Sequence, residues 1–162
     1  MSTSFLRTIG VLFLCLGLWP AHALAIGRDA DESMYQPAQA HAGSWGGGWG
    51  GGLVAAARQY VGRGNPTRRS SLWCGAFMDL VLRQTGHKPG STLARDYEHY
   101  GTRVSGPVVG AIAVFARGKG GHVGVVSGIA PDGNVIIISG NYNGNVAEAE
   151  YPRRAIAYVL PQ

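Results

Sequence analysis

The last third of the chain is crowded with short runs of β-branched and apolar residues. Nothing else in the sequence restricts its fold as much. "VVGAIAVFA" (Val108 to Ala116), "HVGVVSGI" (His122 to Ile129), "NVIIISG" (Asn134 to Gly140) and "AIAYVL" (Ala155 to Leu160) each have the length and composition of a strand. The "APDG" between the second and third runs is a tight-turn sequence, so those two are expected to pair as a hairpin. Upstream the character is helical. Leu53 to Val61 is Ala-rich and Gly62 can stop it; Cys74 to Thr85 lines up Phe77, Leu80 and Val81 on one face and stops at Gly86. Thr92 to Tyr100 reads as a short third helix ended by Gly101. Helices followed by antiparallel strands predict an α+β domain, its N-terminal helices packed on one face of a C-terminal antiparallel β-sheet.

The start of the chain predicts export. Met1 to Arg7 carries a positive charge, Ile9 to Trp19 is apolar, and Ala21-His22-Ala23 and Ala23-Leu24-Ala25 offer small residues for a cut. This is the layout of a secretory signal peptide over residues 1–25. The apolar run falls short of the roughly 20 residues a membrane-spanning helix needs. No other stretch is apolar enough, so no membrane span is expected after cleavage. The mature protein is expected to be periplasmic or extracellular. Residues 26–52 read as a flexible tail, ending in "GSWGGGWGGG", whose glycines are costly to order. Residues 53–162 then form the one folded domain, expected to act as a monomer.

A formal charge of +5 with 14% charged residues, spread along the chain, leaves no concentrated basic stripe. Nucleic acid is therefore not an expected partner. The mild basicity suits lingering near anionic surfaces such as cell wall.

Cleavage of the signal would remove Cys15 and leave Cys74 as the sole cysteine, so no intramolecular disulfide is available. A leftover thiol in an oxidising compartment is an intermolecular bridge, an inert buried residue, or a reactive group. Cys74 stands at the head of a predicted helix, whose positive end lowers a thiol pKa and whose free N–H groups suit an oxyanion. Gly75 and Ala76 leave the space beside the sulfur uncrowded. A base to take its proton is sought among the histidines. His22 leaves with the signal, His41 is in the tail, and His87 and His99 sit in a loop and near a helix end. His122 opens a β-run after the glycine loop "RGKGG", a position that is rigid yet approachable, and it is the candidate base.

The expected hairpin brings the end of the third β-run beside the start of the second. Asn141 in "SGNYNGN" then falls close to His122, where its side-chain oxygen could fix the imidazole tautomer. Ser139, Asn143 and Asn145 are rivals for that place, and a plain turn asparagine is the structural alternative. Trp73 and Tyr142, next in sequence to Cys74 and Asn141, are candidates to line a substrate groove; Trp73 could equally fill the core behind the thiol. Neither a close histidine pair nor a CxxC is present, and "RGKGGH" lacks the context of a phosphate loop. No metal or other cofactor is expected.

Together, "AARQYVG", "WCGAF" at a helix start, "GAIAVFARGKGGHVGVV" and a later "SGNY" resemble the papain-like NlpC/P60 and CHAP superfamily of cell-wall peptidases and amidases. The CHAP-like branch is the nearer of the two, and the resemblance runs from about Leu53 to Leu160. It implies a papain-like fold, a Cys74 nucleophile, a His122 base and a polar third residue at Asn141. It also implies cleavage of an amide bond in peptidoglycan, either the sugar-peptide amide or a peptide bond in the stem or cross-bridge. The chain departs from the pattern in having Gly110-Ala111 where many relatives have Gly-Asp. It also has Trp73-Cys74-Gly75-Ala76 in place of the Asp-Cys-Ser-Gly of endopeptidases that read a free stem N-terminus. Two other readings stay open: a non-catalytic module that binds cell wall or a partner on the same fold, and an amidase-type antibacterial toxin.

Overall fold

A computed structural model describes residues 51–162 and, as backbone alone, the two-residue strand Gln36–Pro37. The expected signal peptide and nearly all of the expected tail lie outside the described residues. In chain order the elements are β1 (Gln36–Pro37), α1 (Gly51–Arg58), α2 (Cys74–Gln84), a 3-10 helix (Ala94–His99), β2 (Thr102–Val104), β3 (Ile112–Arg117), β4 (Gly120–Ile129), β5 (Val135–Tyr142), β6 (Asn145–Tyr151) and β7 (Ala157–Leu160). The strands form one antiparallel sheet in the order β1-β6-β5-β4-β3-β7-β2. Helices packed on an antiparallel sheet make this an α+β domain.

The expected hairpin is present: β4 and β5 pair from Ile129↔Val135 to Gly124↔Ser139 across the turn that contains Pro131 and Asp132. Two strands escape the sequence pattern. β6 ("NVAEAEY") carries alanine and glutamate where a strand signal wants β-branched residues, and β2 has only three residues. Thr92 to Tyr100 yields a six-residue 3-10 helix rather than an α-helix. Gly51 and Gly52, read as the end of the tail, instead form the first turn of α1. Gln36–Pro37, also assigned to the tail, pairs with Glu150 and Ala149 of β6.

Both faces of the sheet are buried, for different reasons. On one, Leu53, Val54 and Ala57 of α1 and Phe77, Met78, Val81 and Leu82 of α2 pack with Val114, Val123, Val125, Ile138 and Val159. This is the amphipathic-helix packing expected from the sequence. The other face buries Ala113, Phe115, Val126, Ile137, Ala149, Tyr151 and Tyr158, and among the described residues no helix joins that cluster. Curvature closes it. Strands lie about 4.8 Å apart, so β3 and β6, three places apart, would be well separated in a flat sheet. Yet the rings of Phe115 on β3 and Tyr151 on β6 have centroids 5.1 Å apart. The sheet therefore curls upon this face and makes it concave.

Two glycines permit close approaches that position the start of α2. A Cβ at Gly75 would lie 2.5 Å from the backbone oxygen of Thr92, where the lead-in to the 3-10 helix crosses α2. A Cβ on Gly140 would lie 2.6 Å from both Trp73 and Phe77. The end of β5 is thus pressed against the residue that precedes Cys74.

Candidate active site

Cys74 is the first residue of α2 and is 5% exposed. Leu72, just upstream, has a left-handed φ of 49°, uncommon for a leucine, and this sharp bend sets the direction of the helix. The first α2 bond is Phe77 N–H to Trp73 O at 2.9 Å, which leaves the N–H groups of Cys74, Gly75 and Ala76 without helical acceptors. These are the groups expected to face an oxyanion.

The thiol itself departs from expectation. Burial pushes its pKa up from the ordinary value, and this outweighs the N–H groups of Val123, Gly75 and Cys74 and the charge of Arg117, all of which pull it down. A helix start alone does not sharpen a thiol that is out of contact with water.

His122 is even more enclosed, at 1% exposure. It pairs with Phe115 across β3 and β4, and the two share the concave face of the sheet. Its ring stacks on Tyr151, planes 3° apart and centroids 5.5 Å apart, with Nε2 3.0 Å from the phenol oxygen. Nδ1 lies 3.5 Å from Nη1 of Arg117. Desolvation, with Arg117 adding to it, lowers its pKa to about 3, so the imidazole is neutral at physiological pH. The expectation of an approachable histidine is corrected here: the glycine loop leaves the backbone free, but the side chain turns into the curled sheet.

Cys74, by contrast, belongs to the helix-facing core together with Val123 and Val125. The next residue after His122 therefore offers its N–H to the thiol, while the imidazole itself faces the other way. Among the described residues no hydrogen bond joins the two side chains. Arg117, at the end of β3, is the group whose charge reaches both.

The β4–β5 pairing ends at Gly124↔Ser139, two residues before Asn141, and β5 turns irregular between Ser139 and Tyr142. The φ of Asn141, 63°, is left-handed, a conformation that asparagine tolerates well, and its carbonyl oxygen lies 3.5 Å from Arg117 Nη1. The backbone thus supplies a reason for an asparagine here apart from any contact with the imidazole. Of the rivals, Asn143 is also left-handed and Asn145 donates to the Asn143 carbonyl, while the Ser139 hydroxyl is fully buried with no hydrogen-bond partner among the described residues.

The groove assignments change as well. Trp73 is 2% exposed and its ring lies over Gly140, so it backs the thiol within the core. Tyr142 is half-buried against the concave-face cluster. Exposed apolar side chains near the start of α2 are Leu72, two residues before Cys74 and 73% exposed, and Leu93, 58% exposed, whose backbone nitrogen lies beside Gly75. Sequence reasoning missed both leucines, along with Tyr151 and Arg117. The aromatic and the arginine were out of reach because their roles depend on how far the sheet curls.

Among the described residues there is a single thiol, buried at the head of a helix that packs on an antiparallel sheet, with the N–H of Val123 beside it; the class this defines is an α+β domain. Residues 64–141 match the family model of the CHAP domain, so the segment from the loop before α2 to the end of β5 carries the signature of that family, as the resemblance implied. Cys74, His122 and Asn141 all fall inside the match. CHAP domains are typically amidases or peptidases of peptidoglycan, which places the chain with hydrolases at that coarse level. No curated protein matches it. Among the described residues no cluster of His, Cys, Asp and Glu is arranged to hold a metal, and no helix is long and apolar enough to cross a membrane.

Proposed function

We propose that the protein is an exported cysteine hydrolase of papain-like fold that cleaves amide bonds in peptidoglycan, as an amidase at the sugar-peptide link or an endopeptidase in the stem or cross-bridge. The observation that carries this is the CHAP match spanning a lone thiol at a helix start and the histidine whose neighbour's N–H meets that thiol. In the proposed reaction the backbone at the start of β4, beside Gly120 and Gly121, turns over and carries the ring of His122 from Tyr151 to the Cys74 face. It takes the thiol proton, and the thiolate attacks the carbonyl carbon. The oxyanion that forms is met by the free N–H groups at the start of α2. The C–N bond breaks as His122 returns the proton to the leaving amine, and water then hydrolyses the thioester. Asn141 would hold the imidazole after the turn, with Ser139 as the buried alternative. The exposed Leu72 and Leu93 would take an apolar part of the substrate.

The test is release of soluble fragments from purified, dye-labelled peptidoglycan by the mature protein and by Cys74→Ala. Turnover that disappears in a variant with an unchanged melting curve supports the reading; turnover that persists in it ends the proposal. N-terminal sequencing of the exported protein checks the cut after Ala25.

A second reading draws on a specific observation. The thiol is raised in pKa and the imidazole is neutral and turned away, which suits a domain that binds cell wall without cutting it. The rate of Cys74 alkylation by iodoacetamide against pH separates the two. Modification well below the free-thiol pKa of about 8.5 marks a poised nucleophile, and protection until unfolding marks an inert residue.

A further inference from the structure

At the sheet edge formed by β2 and β7 lies a cavity of about 390 Å³, lined by residues 103–105 and 153–158. Three arginines stand around it, Arg103 from β2 and Arg153 and Arg154 from the connection into β7, and among the described residues no acidic one is in its walls. Among the described residues none of the three has an ion-pair partner, whereas Arg58, Arg83 and Arg95 elsewhere do. The carboxylates of the adjoining turn and strand, Asp132 and Glu150, accept hydrogen bonds from Asn134.

Two of the arginines are held in place. Arg103 Nη2 donates to the carbonyl oxygen of Ile156 at 2.8 Å, which fixes its guanidinium against the β7 lead-in. Arg153 is anchored through its backbone, its N–H donating to Asn134 and its carbonyl accepting from the Tyr158 hydroxyl. Its guanidinium lies across two glycines: a Cβ on Gly106 would be 3.6 Å from Nη2, and one on Gly133 would be 3.9 Å from Nη1. Arg154 makes none of these bonds and is exposed.

We propose that this cavity is a binding site for a phosphate group, presented as the phosphodiester of a polymer or a lipid headgroup. A carboxylate is satisfied by a single bidentate arginine, so a wall that carries three arginines exceeds what it needs. A phosphate offers more acceptor oxygens and more charge, which matches the set. The cavity exceeds the bulk of one phosphate and opens at a sheet edge, so the group can arrive as part of a longer chain. The site is separate from Cys74. Extending the pairings sets Ile156 in the same row as Phe115 and His122, one strand from β3 and two from β4. A held anion would therefore lie two strands from His122, about 10 Å along the sheet given strand spacings of about 4.8 Å. It would tether the domain beside its substrate without touching the reacting atoms.

The test uses the full mature chain and isothermal titration with inorganic phosphate, with a glycerol-phosphate oligomer, and with acetate at matched ionic strength. Sedimentation with phosphatidylglycerol vesicles forms a second arm. Saturable binding of the phosphate probes, at least tenfold tighter than acetate and weakened at least tenfold by Arg103→Gln with Arg154→Gln, is the expected result. Arg154→Glu alone supplies the same comparison if the double variant melts early, because that side chain supports nothing else. Oligomer binding without vesicle binding assigns a polymer; the reverse assigns a headgroup. Binding no tighter than acetate, or unchanged in the variants, overturns the proposal.

Discussion

The phenol oxygen of Tyr151 lies 3.0 Å from Nε2 of His122, and their rings are stacked with planes 3° apart, although β5 lies between β4 and β6 in the sheet. This contact, not one with Asn141, satisfies the buried imidazole. Replacing Tyr151 with phenylalanine keeps the stack and removes the bond, leaving a buried nitrogen unpartnered. Stability should fall by about 1–2 kcal/mol, read as a lower urea midpoint at unchanged slope. An unchanged midpoint would show that water or another group replaces the phenol at no cost.

The same burial predicts a pH dependence. Folded His122 titrates at about 3, against 6.5 for the free side chain. Between those values the unfolded chain takes up a proton that the folded chain refuses. Stability is therefore complete above about pH 6.5 and is lost as pH falls, by up to about 1.4 kcal/mol per unit. Urea midpoints from pH 5 to 7 should slope upward in the wild type and less so in His122→Gln. Parallel slopes would mean that the imidazole is already solvated in the fold.

Arg117 is predicted to govern both titrations. Its charge pulls the Cys74 thiol down and disfavours protonation of His122. Arg117→Gln should shift the alkylation profile of Cys74 to higher pH and raise the His122 pKa, seen in the imidazole proton resonances. A variant in which neither moves would exclude Arg117 from the site's electrostatics.

Gly140→Ala tests the packing behind the thiol. Its methyl group would stand 2.6 Å from Trp73 and Phe77, both buried. The expected loss is about 1–3 kcal/mol, with slower turnover if the start of α2 is displaced. Alanine at Gly144, where no atom lies within 4 Å, would instead meet only the strain of a φ of +79°.

A smaller effect is expected at the pair joining α1 to β6. Arg58 Nη2 lies 2.5 Å from Glu148 Oε1. Burial pushes the Glu148 carboxyl up, but the bonds from Arg58 and Ser127 outweigh it and leave its pKa below the ordinary value. The pair's contribution is present above about pH 4.5 and fades as pH falls through the lowered folded value. Because Arg58 is half-exposed, Arg58→Gln should cost only about 0.5 kcal/mol at neutral pH, measured as a difference in urea midpoint that narrows in acid.

The β4–β5 hairpin was legible because "APDG" names its own turn and the runs beside it are rich in valine and isoleucine. The hairpin in turn brought the end of β5 toward the start of β4, pairing Ser139 with Gly124. Which way the imidazole points was not legible. In "HVGVV" both faces of the strand are apolar, so alternation gives no clue to the side that meets α2. Tyr151 was hidden for two reasons: β6 looks polar, and a contact across a curled sheet has no sequence spacing. Cys74 was recognised by its place at a helix start, but its enclosure depends on the crossing at Gly75, which only the packed structure reveals.

Trp73 and Gly140 have a further consequence. Each is the chain neighbour of a residue proposed to act, Cys74 in one case and Asn141 in the other, and the indole of one fills the space that a side chain on the other would need. Helix start and strand end are thus keyed together by a single pair of complementary shapes. Anyone moving the thiol and its asparagine to a new scaffold would have to move that pair intact, because a graft of the polar residues alone would lose the spacer that sets the distance between them.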